Sequence, residues 1–387
     1  MLISLKKARV KQIVGKYNNC TEIIVATPDG ESKAVNYDFL AGEVKEGDEV
    51  VINTTAVDLK LGSGGVHFVV SISGRESETL GSQGKGHIMK LRYTPLQFSV
   101  LCAEEQQSPY HEIFDSFKSL NSMPVIIGEL HSMLLPAVFN VKRRNPKLRI
   151  SYIMTDGGAL PLDFSRSVSY LKQSGLIEGT ITYGQAFGGD LETVNIYTAL
   201  IAAREIQKSD IAVVTMGPGI TGTGTRFGFS GIEQGPIIDA VNTLGGCPVF
   251  IPRISFAEKR SRHFGLSHHS ITVLARISKT RACVVVPHMD ESKFEYVMSQ
   301  IKQNKIERQH TVAVVGEIKA VMENITFYDN NRLGDIPPFP GRETSEGGGI
   351  SPIKMTTMGR DIKEDPEFFL TAGAAGYYAA GLFEDRR

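Results

Sequence analysis

The feature that most constrains this chain is an apolar run that leads into a glycine-rich loop, IAVVTMGPGITGTGTRFGFSG at positions 211–231. The first six residues have the length and β-branched content of a strand that is buried on both faces of a parallel sheet. Glycine lets the backbone adopt positive φ or approach a ligand closely, and clustered backbone amides favour an anion. The stretch therefore predicts an α/β fold with an anion-binding loop.

Composition excludes several classes of protein. Lys+Arg and Asp+Glu balance at 42 each in 387 residues, so net charge gives no reason to expect nucleic acid as a partner. The four cysteines are scattered without a C-x-x-C pair, which favours reduced thiols and a cytoplasmic protein. No membrane association is expected, because the basic start MLISLKKARV has no apolar export segment and the apolar stretch 368–383 is too short to span a bilayer.

Residues 1–73 are predicted to form a small β-barrel. Five short runs rich in valine and isoleucine are separated by turn residues such as Asn18-Asn19 and Pro28-Asp29-Gly30. The runs lie at 10–14, 22–26, 34–37, 49–53 and 66–72. Residues 74–86, GRESETLGSQGKG, are polar and glycine-rich, and they are interpreted as a linker.

Residues 87–387 are predicted to form an α/β ligand-binding domain, with a mostly parallel, Rossmann-like sheet flanked by helices. Apolar runs alternate there with helical patterns, as in parallel sheets with crossover helices. The expected strands lie at 89–93, 98–103, 124–127, 149–155, 177–183, 211–216, 248–252, 282–287 and 311–315. One expected helix starts behind Asp190 and carries Leu191, Val194, Tyr197 and Ile201 on one face.

Polar residues follow most of these strands. Because the carboxyl ends of parallel strands meet at one edge, where such sheets bind ligands, these residues predict one polar cleft. The candidate ligand-binding residues from the strand ends are Gly157, Gly158, Gln185, Gly188, Gly189, Asp190, Gly217, Gly219, Thr221, Gly222, Thr223, Gly224, Thr225 and Ser255.

A cationic segment, RISFAEKRSRHFGLSHHS at 253–270, strengthens the prediction of an anionic ligand. Arg253, Arg260 and Arg262 are expected to neutralise a small phosphorylated or nucleotide-like molecule, since arginine contacts phosphate or carboxylate through two nitrogens. Histidine and aspartate side chains at the same edge can move protons. The candidate catalytic residues are Asp156, His131, His263, His268 and His269.

No cofactor is identified from the sequence. A dinucleotide site needs a helix at the third glycine and an acidic residue after the next strand, but here the loop continues and the next strand ends at Arg253. No metal site is assigned, because the neighbouring His268 and His269 are expected to point to different sides. Three functions remain open: an acid–base enzyme, a noncatalytic ligand-sensing or regulatory protein, and a metal-dependent hydrolase. A homo-oligomer is compatible with the sequence.

Several long strings resemble a bacterial family of unknown function, DUF3866. They include DGGALP at 156–161, GQAFGGDLE at 184–192, MGPGITGTGTRFGFSGIEQG at 216–235 and RISFAEKRSRHFGLSHH at 253–269. Further matching strings are GHIMKLRYTP at 86–95, GELHS at 128–132 and TTMGRDIKEDPEFF at 356–369. The resemblance covers nearly the whole chain, and it implies no particular activity or catalytic residue.

Overall fold

The structure, a computed structural model, describes residues 2–62, 64–75, 86–330 and 354–384. The chain divides into two compact units. The smaller comprises Met1–Lys85, Leu91–Phe98 and Asp163–Ser169, and the larger comprises Gly86–Lys90, Ser99–Leu162 and Tyr170–Arg387. Two short segments of the predicted α/β domain therefore belong to the smaller unit. Most of the predicted linker at 74–86 lies outside the described residues.

The smaller unit contains the predicted barrel, which is closed and has the strand order β1-β2-β3-β5-β4. Its strands are β1 (Leu5–Tyr17), β2 (Cys20–Thr27), β3 (Gly30–Tyr37), β4 (Glu49–Asn53) and β5 (His67–Ile72), with short helices α1 (Asp38–Ala41) and α2 (Thr55–Asp58). Alternate residues point inward, so that Val10, Ile23, Val25, Val50 and Ile52 form much of its core. The barrel closes because β4 pairs with β1 in antiparallel fashion, while β3 and β5 are parallel.

The larger unit is built on an eight-stranded sheet whose strand pairs are all parallel, in the order β11-β10-β9-β12-β8-β13-β16-β17. Every residue of the three central strands β9, β12 and β8 is buried, as expected when helices cover both faces of a sheet. The strands are β8 (Pro124–Gly128), β9 (Ile150–Thr155), β10 (Gly179–Tyr183), β11 (Leu191–Thr193), β12 (Ile211–Met216), β13 (Cys247–Phe250), β16 (Cys283–Pro287) and β17 (Thr311–Val315).

The chain reverses its direction across the sheet at the adjacent strands β8 and β12. From β8 the chain continues to β9 on one side, whereas from β12 it continues to β13 on the other side. The crossovers from such neighbouring strands leave space between the loops at their carboxyl ends. We call the edge formed by these strand ends the carboxyl edge.

Helices cover the sheet, and the longest is packed closely through glycine. An added Cβ at Gly376 of α11 would stand 2.0 Å from the Ala137 carbonyl oxygen of α4, so only glycine allows this approach. The helices are α3 (His111–Ser116), α4 (Leu134–Arg144), α5 (Arg166–Gln173), α6 (Ile196–Ile201), α7 (Gln234–Thr243), α8 (His268–Thr272), α9 (Glu291–Gln303), α10 (Ile318–Asn330) and α11 (Pro366–Glu384). Among the described residues, no helix combines the length and apolar content needed to cross a membrane.

Two of the predicted strands are not part of the main sheet. The runs expected at 89–93 and 98–103 instead contribute β6 (Ile88–Lys90) and β7 (Phe98–Val100), which pair only with each other. Two further pairs of short strands, β14 (Ile254–Ser255) with β15 (Gly265–Leu266) and β18 (Thr356–Thr357) with β19 (Arg360–Asp361), form separate ribbons. The run expected at 124–127 and six others lie in the eight-stranded sheet as predicted.

The predicted start of the helix behind Asp190 was wrong. The segment first forms β11, and α6 begins after Asn195, whose side-chain oxygen accepts hydrogen bonds from the amides of Tyr197 and Thr198 at 2.9 and 3.2 Å. This capping arrangement, which the Thr198 hydroxyl completes, fixes the helix start more strongly than the apolar periodicity does. Asp190 lies five residues earlier and caps no helix.

Candidate functional site

The glycine loop, residues 217–229, follows β12 at the carboxyl edge and folds as a hairpin rather than opening a helix. The Thr223 amide donates to the Gly228 carbonyl at 2.8 Å, and the Ser230 amide donates to the Thr221 carbonyl at 3.0 Å. The hydroxyls of Thr223 and Thr225 bond to each other at 2.9 Å. These threonine groups therefore stabilise the loop itself.

Glycine amides are among the groups of the loop that stay available to a ligand. Residues 221–227 and Gly219 are exposed, and the amides of Gly219, Gly222 and Gly224 have no acceptor among the described residues. Gly219 and Gly224 have φ of +104° and +78°, which a residue with a side chain adopts only with strain. Gly224 also lies beside the Arg262 guanidinium, since an added Cβ would stand 3.8 Å from its Cζ.

Two carboxylates, Asp156 and Glu233, lie at the end of β9, and we call them the carboxylate pair. Asp156 is exposed and accepts a hydrogen bond from the Gln185 amide at 2.9 Å. Glu233 reaches the same place from the turn 230–233 that follows the glycine loop, and it accepts a hydrogen bond from the Thr155 hydroxyl. Gly157 makes room for it, because an added Cβ would stand 2.9 Å from Glu233 Oε2.

The environment of Glu233 favours its neutral form. The pKa of Glu233 is raised from its ordinary 4.5 to about 7, mainly by burial and in part by the negative charge of Asp156, while the hydrogen bond from Thr155 acts in the opposite direction. Burial and both carboxylates also raise the pKa of the nearby Tyr183 phenol well above its usual range. Glu233 therefore can exchange a proton near neutral pH, as a general acid or base must.

Gly158 allows the backbone after β9 to approach the glycine loop closely. An added Cβ at Gly158 would stand 2.3 Å from the Gly217 carbonyl oxygen, and the Ala159 amide donates to the Pro218 carbonyl at 2.7 Å. The backbone after β9 is thus packed directly on the start of the glycine loop.

The loop after β10 uses its amides within the protein. The Gly188 amide donates to Glu192 at 2.7 Å, and the Gly189 amide donates to the Thr182 hydroxyl at 3.1 Å. Lys90 is fully buried and stabilises this loop. It donates hydrogen bonds to the Gly184 and Ala186 carbonyls and pairs with Glu192 at 3.1 Å. These glycines build the edge rather than contact a ligand through their amides.

Asp190 lies away from the carboxyl edge, contrary to its predicted place among the ligand-binding residues. Its carboxylate accepts hydrogen bonds from the amide and hydroxyl of Thr180, at 2.8 and 3.0 Å, near the start of β10. It also pairs with Lys172 at 2.5 Å. Because β10 and β11 are parallel and joined by a short return, the residue before β11 must lie at the amino end of β10.

Three histidines converge beside the glycine loop, and we call His263, His268 and His269 the histidine cluster. Their possible ligand atoms all lie within 4.8 Å of one another. The rings of His268 and His269 have centroids only 4.3 Å apart, so the expectation that these neighbours point to different sides was wrong. The start of α8 turns both rings toward His263. The cluster is the group of described residues that can hold a metal ion.

Each end of the cluster is anchored by a polar partner. His269 Nδ1 makes a short contact with the buried Glu129 carboxylate, and its ring stacks on Phe229 with centroids 3.9 Å apart. His263 Nδ1 lies 2.8 Å from the Ser267 hydroxyl, which also caps α8. Glu129 itself fits because residue 231 is glycine, whose added Cβ would stand 2.5 Å from Glu129 Cγ.

Burial keeps two rings of the cluster neutral. It lowers the pKa of His263 to about 3, with the positive charge of Arg253 as the next cause, and it lowers the pKa of His268 to about 4. His131, in the turn after β8, lies 3.2 Å from the Tyr152 hydroxyl, and burial lowers its pKa to about 4 as well. Neutral imidazoles can accept protons or bind metals, but they do not neutralise an anion.

The predicted arginines have different environments. Arg253 is buried between Glu129 and Glu258, at 3.8 and 4.0 Å, and Arg260 makes two hydrogen bonds to Glu258 at 2.9 and 2.6 Å. Arg262 is exposed and has no ion-pair partner in the described part of the chain. It is therefore the predicted arginine whose charge is available to a ligand.

Ser255 has a structural partner too. Its hydroxyl is buried and donates to both oxygens of Asp365, at 2.9 and 2.8 Å, and Asp365 pairs with Arg360 at 3.0 Å. The hydroxyl is thus used in tying β14 to the segment before α11.

Sequence reasoning missed Glu233, Tyr183 and Phe229. Each depends on a long-range approach: Glu233 comes 78 positions after the Thr155 to which it bonds, and Phe229 stacks on a histidine of another segment. The G-x-G spacing indicates a role for the glycines, but the ionisable side chain, Glu233, lies in the turn that follows them. Gly157 and Gly231 were the available signal, since both mark places where another side chain approaches the backbone.

The fold and the edge define a class: an α/β protein with a parallel sheet, a glycine loop at a topological switch and an N-terminal five-stranded barrel. Within that class, residues 33–376 match the model of a family described as protein of unknown function, DUF3866. The chain belongs to this family. No curated protein matches it.

Proposed function

We propose that the protein is an enzyme that binds a small anionic molecule, phosphorylated or nucleotide-like, at the carboxyl edge and acts on it by acid–base chemistry. The observation that carries the proposal is Glu233, whose pKa is raised to about 7 beside Asp156 at the base of an exposed glycine loop. A carboxyl that titrates near neutral pH is unusual outside functional sites.

The ligand-binding part of the proposal rests on the glycine loop and one arginine. The amides of Gly219, Gly222 and Gly224 are donors without acceptors in the described residues, and Arg262 supplies an unpaired positive charge beside Gly224. Amide clusters and arginine together favour phosphate or carboxylate. Arg253 and Arg260, already paired with carboxylates, orient the surrounding residues instead.

The roles in the reaction follow from the same contacts. Glu233 is the group that takes up or gives a proton. Asp156 accepts a hydrogen bond from the Gln185 amide, and its negative charge helps to raise the pKa of Glu233. It therefore acts as a positioning residue.

A binding screen tests the proposal. We name inorganic phosphate, pyrophosphate, AMP, ATP, NADP⁺ and glucose 6-phosphate as the phosphate panel. At about 100 times its dissociation constant a ligand adds about 2.7 kcal/mol of stability, which raises the melting temperature by roughly 5 °C. We expect such a shift from at least one member, and we expect Arg262→Ala to abolish it.

Arg308→Ala is the matched control, since Arg308 is exposed but precedes β17 at the opposite edge of the sheet. It removes the same charge and should leave the shift intact. For the compound that binds, turnover is followed by NMR, and Glu233→Gln should lower its rate at least 100-fold. An absent shift contradicts the binding site, and unchanged turnover in Glu233→Gln contradicts the acid–base role.

A further inference from the structure

We propose that His263, His268 and His269 bind one divalent transition-metal ion, with zinc as the preferred metal. The three rings come from a turn and from the first two positions of α8, so local backbone geometry sets their approach. This inference does not rest on the proposed function, because the metal site uses a different set of side chains.

The cluster has the geometry of a site that closes around an ion. Its possible ligand atoms lie within 4.8 Å of one another, and His263 and His269 are 2 and 5% exposed. Three nitrogens bound at about 2.0 Å in a tetrahedral site lie about 3.3 Å apart, so the three rings would move closer together on binding the ion.

The outer contacts select which ring nitrogens face the ion. Glu129 contacts Nδ1 of His269, and Ser267 contacts Nδ1 of His263, so the Nε2 atoms of both rings are left for the metal. Zinc-binding histidines commonly use the other ring nitrogen for a carboxylate or hydroxyl in this way.

An unsatisfied nitrogen points to a missing partner. The Nε2 atom of His268 is buried and has no hydrogen-bond partner in the described part of the chain. A buried nitrogen without a partner is costly, and a metal ion would satisfy it together with the two neighbouring rings.

Space for a fourth ligand remains beside the glycine loop. An added Cβ at Gly222 would stand 3.7 Å from Nε2 of His269, so a larger residue would fill the region next to that donor. Three imidazoles with an open position are typical of catalytic zinc, and imidazole also suits cobalt and nickel.

Arg253, Arg260 and Arg262 place positive charge near the cluster, and two of them are paired with carboxylates. Glu129 and Glu258 lie on either side of Arg253 at 3.8 and 4.0 Å, and Arg260 pairs with Glu258 at 2.6 Å. The carboxylate of Glu129 also contacts His269 directly and adds negative charge next to the donor set.

Metal titration of the full chain tests the site. After chelation and dialysis, calorimetry with ZnCl₂ should give one ion per chain, and CoCl₂ should give the visible absorption of a tetrahedral cobalt–nitrogen centre. We expect His263→Ala, His268→Ala and His269→Ala each to weaken zinc binding at least 100-fold. His288→Ala removes an exposed histidine elsewhere and should bind zinc normally.

The role of Glu129 allows a sharper comparison that keeps all three histidines. Glu129→Gln should weaken zinc binding 10- to 100-fold, as expected for the partner of a metal-binding histidine. Glu258→Gln is the matched control, since Glu258 also flanks Arg253 but touches no histidine of the cluster. Equal zinc affinity in both variants would overturn the assignment of Glu129.

The results overturn the site if wild-type protein binds no zinc, or if folded alanine variants bind it as wild type does. Circular dichroism identifies variants that have lost their fold, and the cobalt spectrum of the wild type tests the site without any substitution. Glu233→Gln should bind zinc normally, so a failed metal site and a failed acid–base proposal give different results.

Discussion

Glu233 shows how the surroundings of a single side chain shift its pKa. It lies in a partly buried turn, accepts a hydrogen bond from Thr155 and lies near the negative charge of Asp156. Burial dominates, so the neutral acid is the stable form in the folded protein up to about pH 7. The ionised form therefore destabilises the fold, a cost that is retained when a residue serves catalysis.

Glu233→Gln should therefore stabilise the protein at high pH. A raised pKa in the folded state gives stability that is complete below the ordinary value of 4.5 and is lost as pH rises toward about 7. Glutamine stays neutral and avoids this loss. After allowing for partial exposure, we expect Glu233→Gln to gain roughly 2 kcal/mol at pH 8 and little at pH 5, as measured by urea unfolding.

Glu258→Gln should change the stability at pH 8 in the opposite direction. The hydrogen bonds from Arg260 lower the pKa of Glu258 to about 2, so its contribution to stability is present above pH 4.5 and lost as pH falls toward 2. Glu258→Gln should destabilise the protein at pH 8. The account of Glu233 is contradicted if both glutamine variants shift stability in the same direction at pH 8.

At the scale of elements, helix α11 packs against α4 through glycines. Gly376 approaches the backbone of α4 at Ala137, whereas the atoms nearest to an added Cβ at Gly381 belong to the side chain of Arg144, with Nη1 at 2.5 Å. A backbone atom cannot move without shifting the helix, but the end of an arginine can. An added methyl group is therefore expected to be tolerated better at Gly381 than at Gly376.

Gly376→Ala should cost about 3 kcal/mol, the upper range for forcing extra volume into a packed interior. Gly381→Ala should change stability by less than about 1 kcal/mol, because Arg144 can rotate away and alanine favours the helix. Thermal or urea unfolding of the two variants checks this difference. Equal losses would mean that α11 is not positioned by its contact with α4.

The same scale shows where sequence patterns fail. The pattern of Leu191, Val194, Tyr197 and Ile201 fits a helix, yet the first of these residues lies in β11. The local hydrogen bonds of Asn195 and the pairing of β11 with β10 outweigh the periodicity. Helix periodicity alone does not indicate where a helix begins.

For the whole molecule, the architecture was largely predictable because buried strands are continuous apolar runs. The five barrel strands and seven strands of the main sheet follow such runs, and valine and isoleucine mark them independently of what they contact. The carboxyl edge followed from the topology of parallel sheets.

The details of the site were less predictable, because they depend on contacts between distant segments. Arg253 and Arg260 were expected to meet a ligand, but Glu129 and Glu258 already pair with them. The convergence of three histidines depends on how α8 begins relative to the preceding turn. The residue types indicate which chemical groups the chain contains, but the fold determines which of these groups are left without a partner.

Hydrogen–deuterium exchange of the full chain, with and without the member of the phosphate panel that stabilises it most, tests the central claim that ligands bind at the carboxyl edge. We expect slower exchange in peptides covering the glycine loop and residues 156–159, with no change in the barrel strands or at residues 302–310 before β17. Protection confined to the barrel or to residues 302–310, with none in the glycine loop, would contradict the site.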